Sequence, residues 1–387
     1  MSWPDPILRT LTRLDYIKRE LSDFFVARER AIDLLALATV CQEHLLLLGP
    51  PGTAKTELVT RFSERVAAQQ FTYLLTRFTE PSELFGTLDL NRFREGTYEI
   101  RTENMLPKAE IAFLDEVFQS SSAILNALLT LVNERVYYNG SRRQTAPLIS
   151  LIGASNELPD DPGLQAFADR FALRLRLESV AEDRLSDLVS QGWALELERV
   201  TRGRQSHGSA SMTPLRVDEL RELHLCLAQV KTKSVEASYA ELVRELLAEG
   251  LELSDRRIVK GLKLVAGAAL LRRAEEAGPE DLWPLNYFWL GVEEAEVARR
   301  VIQPRVDAGG GPRLDSTRSV DEILADLSVI RAQEPRLHSE VALGAHLKAI
   351  NRLRRELIRD HPGDVDARRT VEEAVQFVMK RLGGLDV

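Results

Sequence analysis

"LLLLGPPGTAKTELV", residues 45–59, sets four leucines directly before a Gly/Pro loop and a Lys-Thr pair. A buried apolar strand, a tight Gly-rich turn and a following helix make an anion site, because loop amides and the helix N-terminus both face the turn. In that geometry Gly49, Pro50, Pro51, Gly52, Thr53, Ala54, Lys55, Thr56 and Glu57 would surround a nucleotide's phosphates. Lys55 would reach the β- and γ-phosphates of ATP, and the Thr56 hydroxyl would ligate Mg²⁺. The usual pattern asks for Gly before the Lys; this chain has Ala54, whose Cβ crowds the phosphate space. A Gly/Pro loop before a helix also serves as a plain structural turn, so the loop needs a second witness.

Residues 110–116, EIAFLDE, supply it: an apolar strand ends in two acids. Asp115 would hold Mg²⁺ through water, and Glu116 would polarise the attacking water. Alone, this is a strand end followed by an acidic helix start. Lys55 and Asp115 are 60 residues apart with a helix and a strand between them, which suits strands of one sheet. A third strand, residues 148–154, ends at Ser155-Asn156, so Asn156 would lie near Glu116, where a carboxamide can bond the γ-phosphate and the lytic water. Its plainer reading is a turn-forming Asn before Glu-Leu-Pro.

The rest of the chain fits that frame. At 387 residues it is long enough for two or three domains, and 44% apolar with 28% charged residues describes a soluble globular chain. The net charge of −8 gives no general reason to expect nucleic-acid binding. Cys41 and Cys226 cannot make a disulfide framework and lie near no metal-ligand partner, which suits a cytoplasmic compartment. No signal peptide or membrane span is legible.

Residues 8–40 read as helical, with a second helix over 28–41. Strands at 44–48, 71–76, 111–114, 148–154 and 172–177 alternate with helices at 55–68 and 121–133, the signature of a parallel sheet between helices. An α/β nucleotide-binding domain is therefore expected over 1–179, and an all-α lid over 180–302. Within the lid, helices are expected at 180–200, 217–230 and 235–249 and in the stretch LSDRRIVKGLKLVAGAALLRRAEEAG, with a loop at 201–213. A Gly-rich linker at 303–319 and a helical region at 320–387, broken at His361-Pro362-Gly363, complete the expectation. Lys348, Arg352, Arg354, Arg355 and Arg359 would give one tail helix a basic face, which reads more readily as a solvated surface than as a binding site.

Taken together, GPPGTAKT, LTRFTEPSELFG, LPKAEIAFLDEV, ILNALLTLVNER, IGASNELP, DRFALRL and LSDRR resemble the AAA+ ATPases, and within them the MoxR family. The nearest look is to the RavA-like branch, where Ala or another residue often stands before the Lys. The resemblance covers residues 28–290. It implies a P-loop AAA+ core, ATP and Mg²⁺ as ligands, a ring (hexameric in such proteins) and an insert at 78–107 near the pore or partner surface, in which 91–101 look like a β-hairpin. It implies that Arg170 reaches a neighbouring subunit's γ-phosphate, with Arg135, Arg142 and Arg143 as rivals for that role. Arg256 matches the second sensor, which touches the γ-phosphate in cis, and the adjacent Arg257 is the alternative. In MoxR systems the partner often carries a von Willebrand factor A domain.

The function expected is therefore an ATP-driven ring that remodels or matures a protein client. A nucleic-acid motor and a slow-turnover, nucleotide-dependent scaffold are the alternatives. The first would show as ATPase stimulation by DNA or RNA with a steep salt dependence.

Overall fold

The computed structural model describes residues 3–140, 142–180, 184–202, 214–289, 291–312, 320–331, 340–360 and 364–383, and the chain divides into two compact units, residues 1–312 and 313–387. The expected loop from residue 203 on, the linker from 313 on and the His361-Pro362-Gly363 break lie outside the described residues.

Two helices open the first unit. α1 (Asp5–Phe24) starts behind Pro4, and its Leu11, Leu14, Ile17 and Leu21 recur at three- and four-residue spacing and are buried along one face. α2 (Glu29–Cys41) is apolar nearly all round and is accordingly a core helix. The α/β core follows: β1 (Leu45–Leu48), α3 (Lys55–Arg65) and β2 (Gln70–Leu74). The insert comes next, with α4 (Pro81–Phe85), β3 (Thr87–Leu88), α5 (Leu90–Arg94) and β4 (Ile100–Arg101). The core resumes with β5 (Ile111–Asp115), α6 (Ser122–Glu134), β6 (Val136–Asn139), β7 (Arg142–Thr145), β8 (Ser150–Ser155), α7 (Pro162–Ala168) and β9 (Leu173–Arg176).

β2, β5, β8, β1 and β9 lie side by side in that order, and every pairing is parallel. The register sets Leu48 beside Ser155, Leu74 beside Asp115 and Leu114 beside Gly153. Gly49, Glu116 and Asn156 therefore leave the sheet along one edge, the carboxyl ends of the strands. Ligands of open α/β sheets bind at that edge.

Two local expectations are corrected. Residues 91–101 are not a hairpin: the Asp89 carboxylate caps the amides of Asn91 and Arg92 and starts α5, so the hairpin pairs Thr87–Leu88 with Ile100–Arg101 instead. The expected linker does not begin at Gln303, because α12 (Val292–Ala308) runs through Pro304 and ends only at Gly309. Before it, α8 (Leu185–Arg202), α9 (Val217–Cys226), α10 (Lys233–Ala248), α11 (Asp255–Leu271) and a 3₁₀ stretch (Pro279–Tyr287) make the lid. The antiparallel hairpin of β6 and β7 was not anticipated.

The second unit is a bundle of α13 (Val320–Arg331), α14 (Glu340–Asp360) and α15 (Val365–Gly383) around Ile323, Leu327, Ile350, Leu357, Val371 and Val378. Of the basic residues expected on its surface, Arg354 pairs with Glu372 at 3.0 Å; the side chains of Lys348, Arg352, Arg355 and Arg359 lie outside the described set. Among the described residues no helix is long and apolar enough to cross a membrane.

Candidate nucleotide site

The loop between β1 and α3 is anchored at both ends. Gly49 donates its amide to Ser155 O at 3.0 Å, and its φ of 147° brings it against the Leu177 carbonyl, where any Cβ would lie 2.2 Å from the oxygen. Only glycine meets both conditions. Ala54, immediately before α3, adopts φ 61° and ψ 24°, the left-handed region in which the more usual Gly is unstrained. The sequence blemish thus falls on the one residue of the loop whose backbone favours glycine without having it.

Lys55 is buried, and its ammonium donates to Gly49 O at 2.8 Å and Pro50 O at 3.1 Å, which holds it within the loop. Desolvation lowers its pKa; the carboxylates of Asp115 and Glu116 pull the other way, and Arg28 adds to the lowering. A phosphate would therefore meet a cation poorly compensated by its own chain. Among the described residues the amides of Gly52 and Ala54 donate to no group of the chain, and the space around Gly52 is open. Unpaired amides beside a partly desolvated ammonium form a donor set that fits phosphate oxygens. Thr56 is exposed at the start of α3. Glu57 turns away: its carboxylate pairs with Arg61 at 2.7 Å, so its expected contribution to the nucleotide is limited to its main chain.

Across the edge, Asp115 accepts the Glu116 amide at 3.0 Å, and Glu116 sits in a left-handed conformation with φ 50°. Asn156 donates its amide nitrogen to Glu116 Oε1 at 3.1 Å. A cavity beside this pair is lined by Glu116, Ser155, Asn156, Asp160, Asp161 and Arg77. Asp115 and Thr56 are the oxygen donors available for Mg²⁺; among the described residues no cluster of three His, Cys, Asp or Glu side chains could hold a metal by itself. A nucleotide-borne Mg²⁺ needs only one or two protein oxygens, so the two residues fit it.

The candidate arginines separate clearly. Arg135 caps α6 and donates to the carbonyls of Leu148, Gln42 and Ile149 at 2.6–3.0 Å, so it is a structural clamp. Arg143 pairs with Glu134 at 3.3 Å, and Arg142 is exposed beside it on β7. Arg170 is held by Asp169 at 3.4 Å, yet its Nε is buried without a partner. Desolvation lowers its pKa, and the positive charge of Arg256 lowers it further.

Arg257 is excluded as a sensor. It is 1% exposed and donates to the carbonyls of Phe288, Phe171, Ala172 and Trp289 and to Asp169, with its guanidinium 4.5 Å above the Phe288 ring. Burial pushes its pKa down to about 10. Arg256, expected to touch the γ-phosphate in cis, is exposed at the start of α11. Arg257 fastens the start of α11 to Phe171 and Ala172, before β9, whereas the phosphate loop meets Leu177, after it. Arg256 approaches Asn133 at 3.5 Å and faces Arg170.

Sequence reasoning did not single out Arg28, which is buried and donates to Thr53 O at 3.2 Å and Glu178 O at 2.9 Å, tying the phosphate loop to the segment after β9. No local pattern marks it; it follows a left-handed Ala27 between two helices.

The sequence profile of the family described as "MoxR domain in the MoxR-vWA-beta-propeller ternary systems" matches residues 12–222, more than half of the chain. An uncharacterised protein of Methanocaldococcus jannaschii is 33% identical over 320 residues, 82% of this chain and 81% of the relative. Chaperone MoxR1 of Mycobacterium tuberculosis is 25% identical over 41% of this chain and 42% of its own length. The crystal structure of a Cytophaga hutchinsonii protein superposes with a TM-score of 0.60 at 20% identity, over 78% of this chain and 96% of that one, which establishes a shared fold.

Proposed function

The chain belongs to the MoxR family of AAA+ proteins, and from that premise we propose that it hydrolyses ATP in a ring and uses the energy to remodel a protein client. The observation that carries this reading is the bond of 3.1 Å between Asn156 and Glu116, formed at the same sheet edge as the Lys55 loop. A carboxylate positioned by a carboxamide opposite a phosphate loop is suited to orient a water for in-line attack on a γ-phosphate. Lys55 and the loop amides of Gly52 and Ala54 would bind the phosphates. Mg²⁺, held by Thr56 and through water by Asp115, would supply charge neutralisation.

Arg77 lines the cavity beside Glu116. Arg170 and Arg256 stand together where the start of α11 docks, with an unpaired Nε on Arg170. Two adjacent guanidiniums repel one another, and a polyphosphate brought by a neighbouring copy relieves that repulsion. We read them as a pair acting in trans on the next subunit's nucleotide, which ties turnover to assembly. A hexamer is the ring we propose, and a partner with a von Willebrand factor A domain suits the systems after which the matching family is described. Placement within the RavA-like branch rests on Ala54 and the motifs around it.

Phosphate release from MgATP by the purified chain tests the reading. Lys55→Ala is expected to lose both binding and turnover; Glu116→Gln is expected to bind ATP and stop turning it over. Undiminished turnover in Glu116→Gln would remove Glu116 from the chemistry. Turnover that requires DNA or RNA would favour a nucleic-acid motor instead.

A further inference from the structure

Asn139 closes β6 on an outlying hairpin, yet it is only 6% exposed. Its carboxamide is engaged in both directions with one residue of the insert. Ile100 donates its amide to Asn139 Oδ1 at 2.7 Å, and Asn139 Nδ2 donates to Ile100 O at 3.0 Å. The pairing follows from the insert's ladder. Asp89 donates to Glu99 O at 2.8 Å, so Ile100, next along β4 and opposite Leu88, turns its main-chain groups away from β3. Those groups form an open strand edge, and a side-chain amide, which carries one donor and one acceptor face, can cover it like one residue of a third strand.

The adjacent residue makes a second attachment. Gly140 has φ 61°, and a Cβ there would lie 2.5 Å from Tyr98 O, so the turn of the β6–β7 hairpin seats directly on the insert. Two consecutive residues of one hairpin thus grip Tyr98 and Ile100 of the other, which fixes orientation as well as distance.

The chain path gives this junction a consequence. Glu116 lies six residues before α6, whose thirteen residues lead straight into β6; β7 returns through residues 146–149 to β8 and Asn156. The hairpin therefore hangs between the two residues that hydrogen-bond in the candidate site. The insert's own chain connection to the sheet runs through β2 and the start of β5, the strand whose far end leads into Glu116.

We infer that Asn139 is a positioning residue that makes the insert and the β6–β7 hairpin move as one body, so that a change at Glu116 and Asn156 on nucleotide binding reaches the insert through Asn139 and Ile100. The insert carries exposed Leu90, Phe93 and Tyr98, and the hairpin carries exposed Tyr138, so the joined body is where a mechanical response would be delivered outward. This rests on the nucleotide-site reading.

Hydrogen exchange on the full-length chain, with and without Mg²⁺ and a slowly hydrolysed ATP analogue, tests it. Binding of the analogue is measured separately. In the wild type, nucleotide is expected to change exchange in residues 136–145 and in 97–103 together. Asn139→Ala is expected to bind the analogue as the wild type does, to speed exchange at the Ile100 amide by about tenfold from loss of its acceptor, and to keep the response in 136–145 while losing it in 97–103. Asn139→Ser, which keeps a smaller uncharged polar group, is expected to lie between, and it guards against a folding defect in the Ala variant. A merely local structural role would move the Ile100 rate without erasing the nucleotide response. An insert response that survives in Asn139→Ala, or a wild type that binds the analogue with neither segment responding, overturns the coupling alone. A wild type that binds no nucleotide overturns the functional reading and the coupling with it.

Discussion

Asn156 Nδ2 and Glu116 Oε1 lie 3.1 Å apart, although 40 residues and the whole β6–β7 hairpin separate them in the chain. The contact exists because β5 and β8 are neighbours, with Leu114 beside Gly153. Glu116, in its left-handed turn, then reaches sideways to the residue that follows β8. If this carboxamide holds the carboxylate in position, Asn156→Ala should leave nucleotide affinity largely intact and lower kcat by about 10²- to 10³-fold, the usual effect of removing one such group. Steady-state phosphate release alongside equilibrium nucleotide binding measures both. A Kd that rises as far as kcat falls would assign Asn156 to binding instead.

Ala54 has the backbone of a glycine. Left-handed geometry costs a non-glycine residue about 1–2 kcal/mol, partly offset by the greater chain entropy that Gly loses on folding. Ala54→Gly is therefore expected to be neutral or to stabilise the fold by up to about 1 kcal/mol, with nucleotide binding retained. Ala54→Val, β-branched at positive φ, should destabilise and weaken binding. Denaturant melts and nucleotide titrations distinguish the two. A loss of binding in the Gly variant would show that the Ala methyl has a positive role.

Arg256 and Arg257 are neighbours on α11 with opposite fates. Arg257→Met leaves carbonyls of Phe288, Phe171, Ala172 and Trp289 without their donor and Asp169 with Arg170 as its remaining partner. Its unfolding free energy should fall by about 3–5 kcal/mol. Arg256→Ala, at an exposed position, should change stability by less than about 0.5 kcal/mol while reducing turnover of the assembled protein. Chemical denaturation and ATPase assays read these separately. A stable Arg257→Met protein would remove Arg257 as the clamp between lid and sheet.

His44 is buried. Its Nδ1 accepts the Leu151 amide at 2.9 Å, which leaves Nε2 to donate to Val132 O at 3.1 Å, so the ring is neutral and its tautomer is set by its neighbours. Burial, reinforced by the charge of Arg135, pushes its pKa down to about 3 from an ordinary 6.5. The folded state thus refuses a proton that the unfolded chain accepts below pH 6.5. Stability from this residue is fully present above that pH and is lost as pH falls toward about 3. The melting temperature of the wild type should decline across that window, and His44→Gln, which starts lower, should decline less steeply. Parallel slopes for the two proteins would show that other groups govern the acid limb.

Much of this arrangement was legible beforehand because it is written in short, strongly patterned segments. Four leucines before a Gly/Pro loop, and EIAFLDE 60 residues later, fix two strands and the site between them. What escaped depends on long-range docking. Arg256 and Arg257 differ by 100° around a helix, and only the seating of α11 on Phe171 and Ala172 decides which one is buried. Asp89 carries a capping signal that outweighs the strand-like run after it, so α5 replaced the expected hairpin. The true second hairpin did advertise itself: Asn139-Gly140 after Val-Tyr-Tyr is a strong turn signal, overlooked beside the longer helix before it. Arg28 had no local signal, since its partners Thr53 and Glu178 come from distant parts of the chain.

The proposal that each site is completed by the next subunit is tested most directly by mixing two inactive variants. Arg170→Ala retains Glu116 and lacks the arginine; Glu116→Gln has the reverse. Each alone should hydrolyse ATP at background rate. Mixed in equal amounts and allowed to assemble, they should regain activity at about a quarter of their interfaces, the random-pairing fraction for a ring of identical contacts. Mixtures that never exceed the sum of the separate variants, at any ratio, would contradict completion of the site by Arg170 in trans.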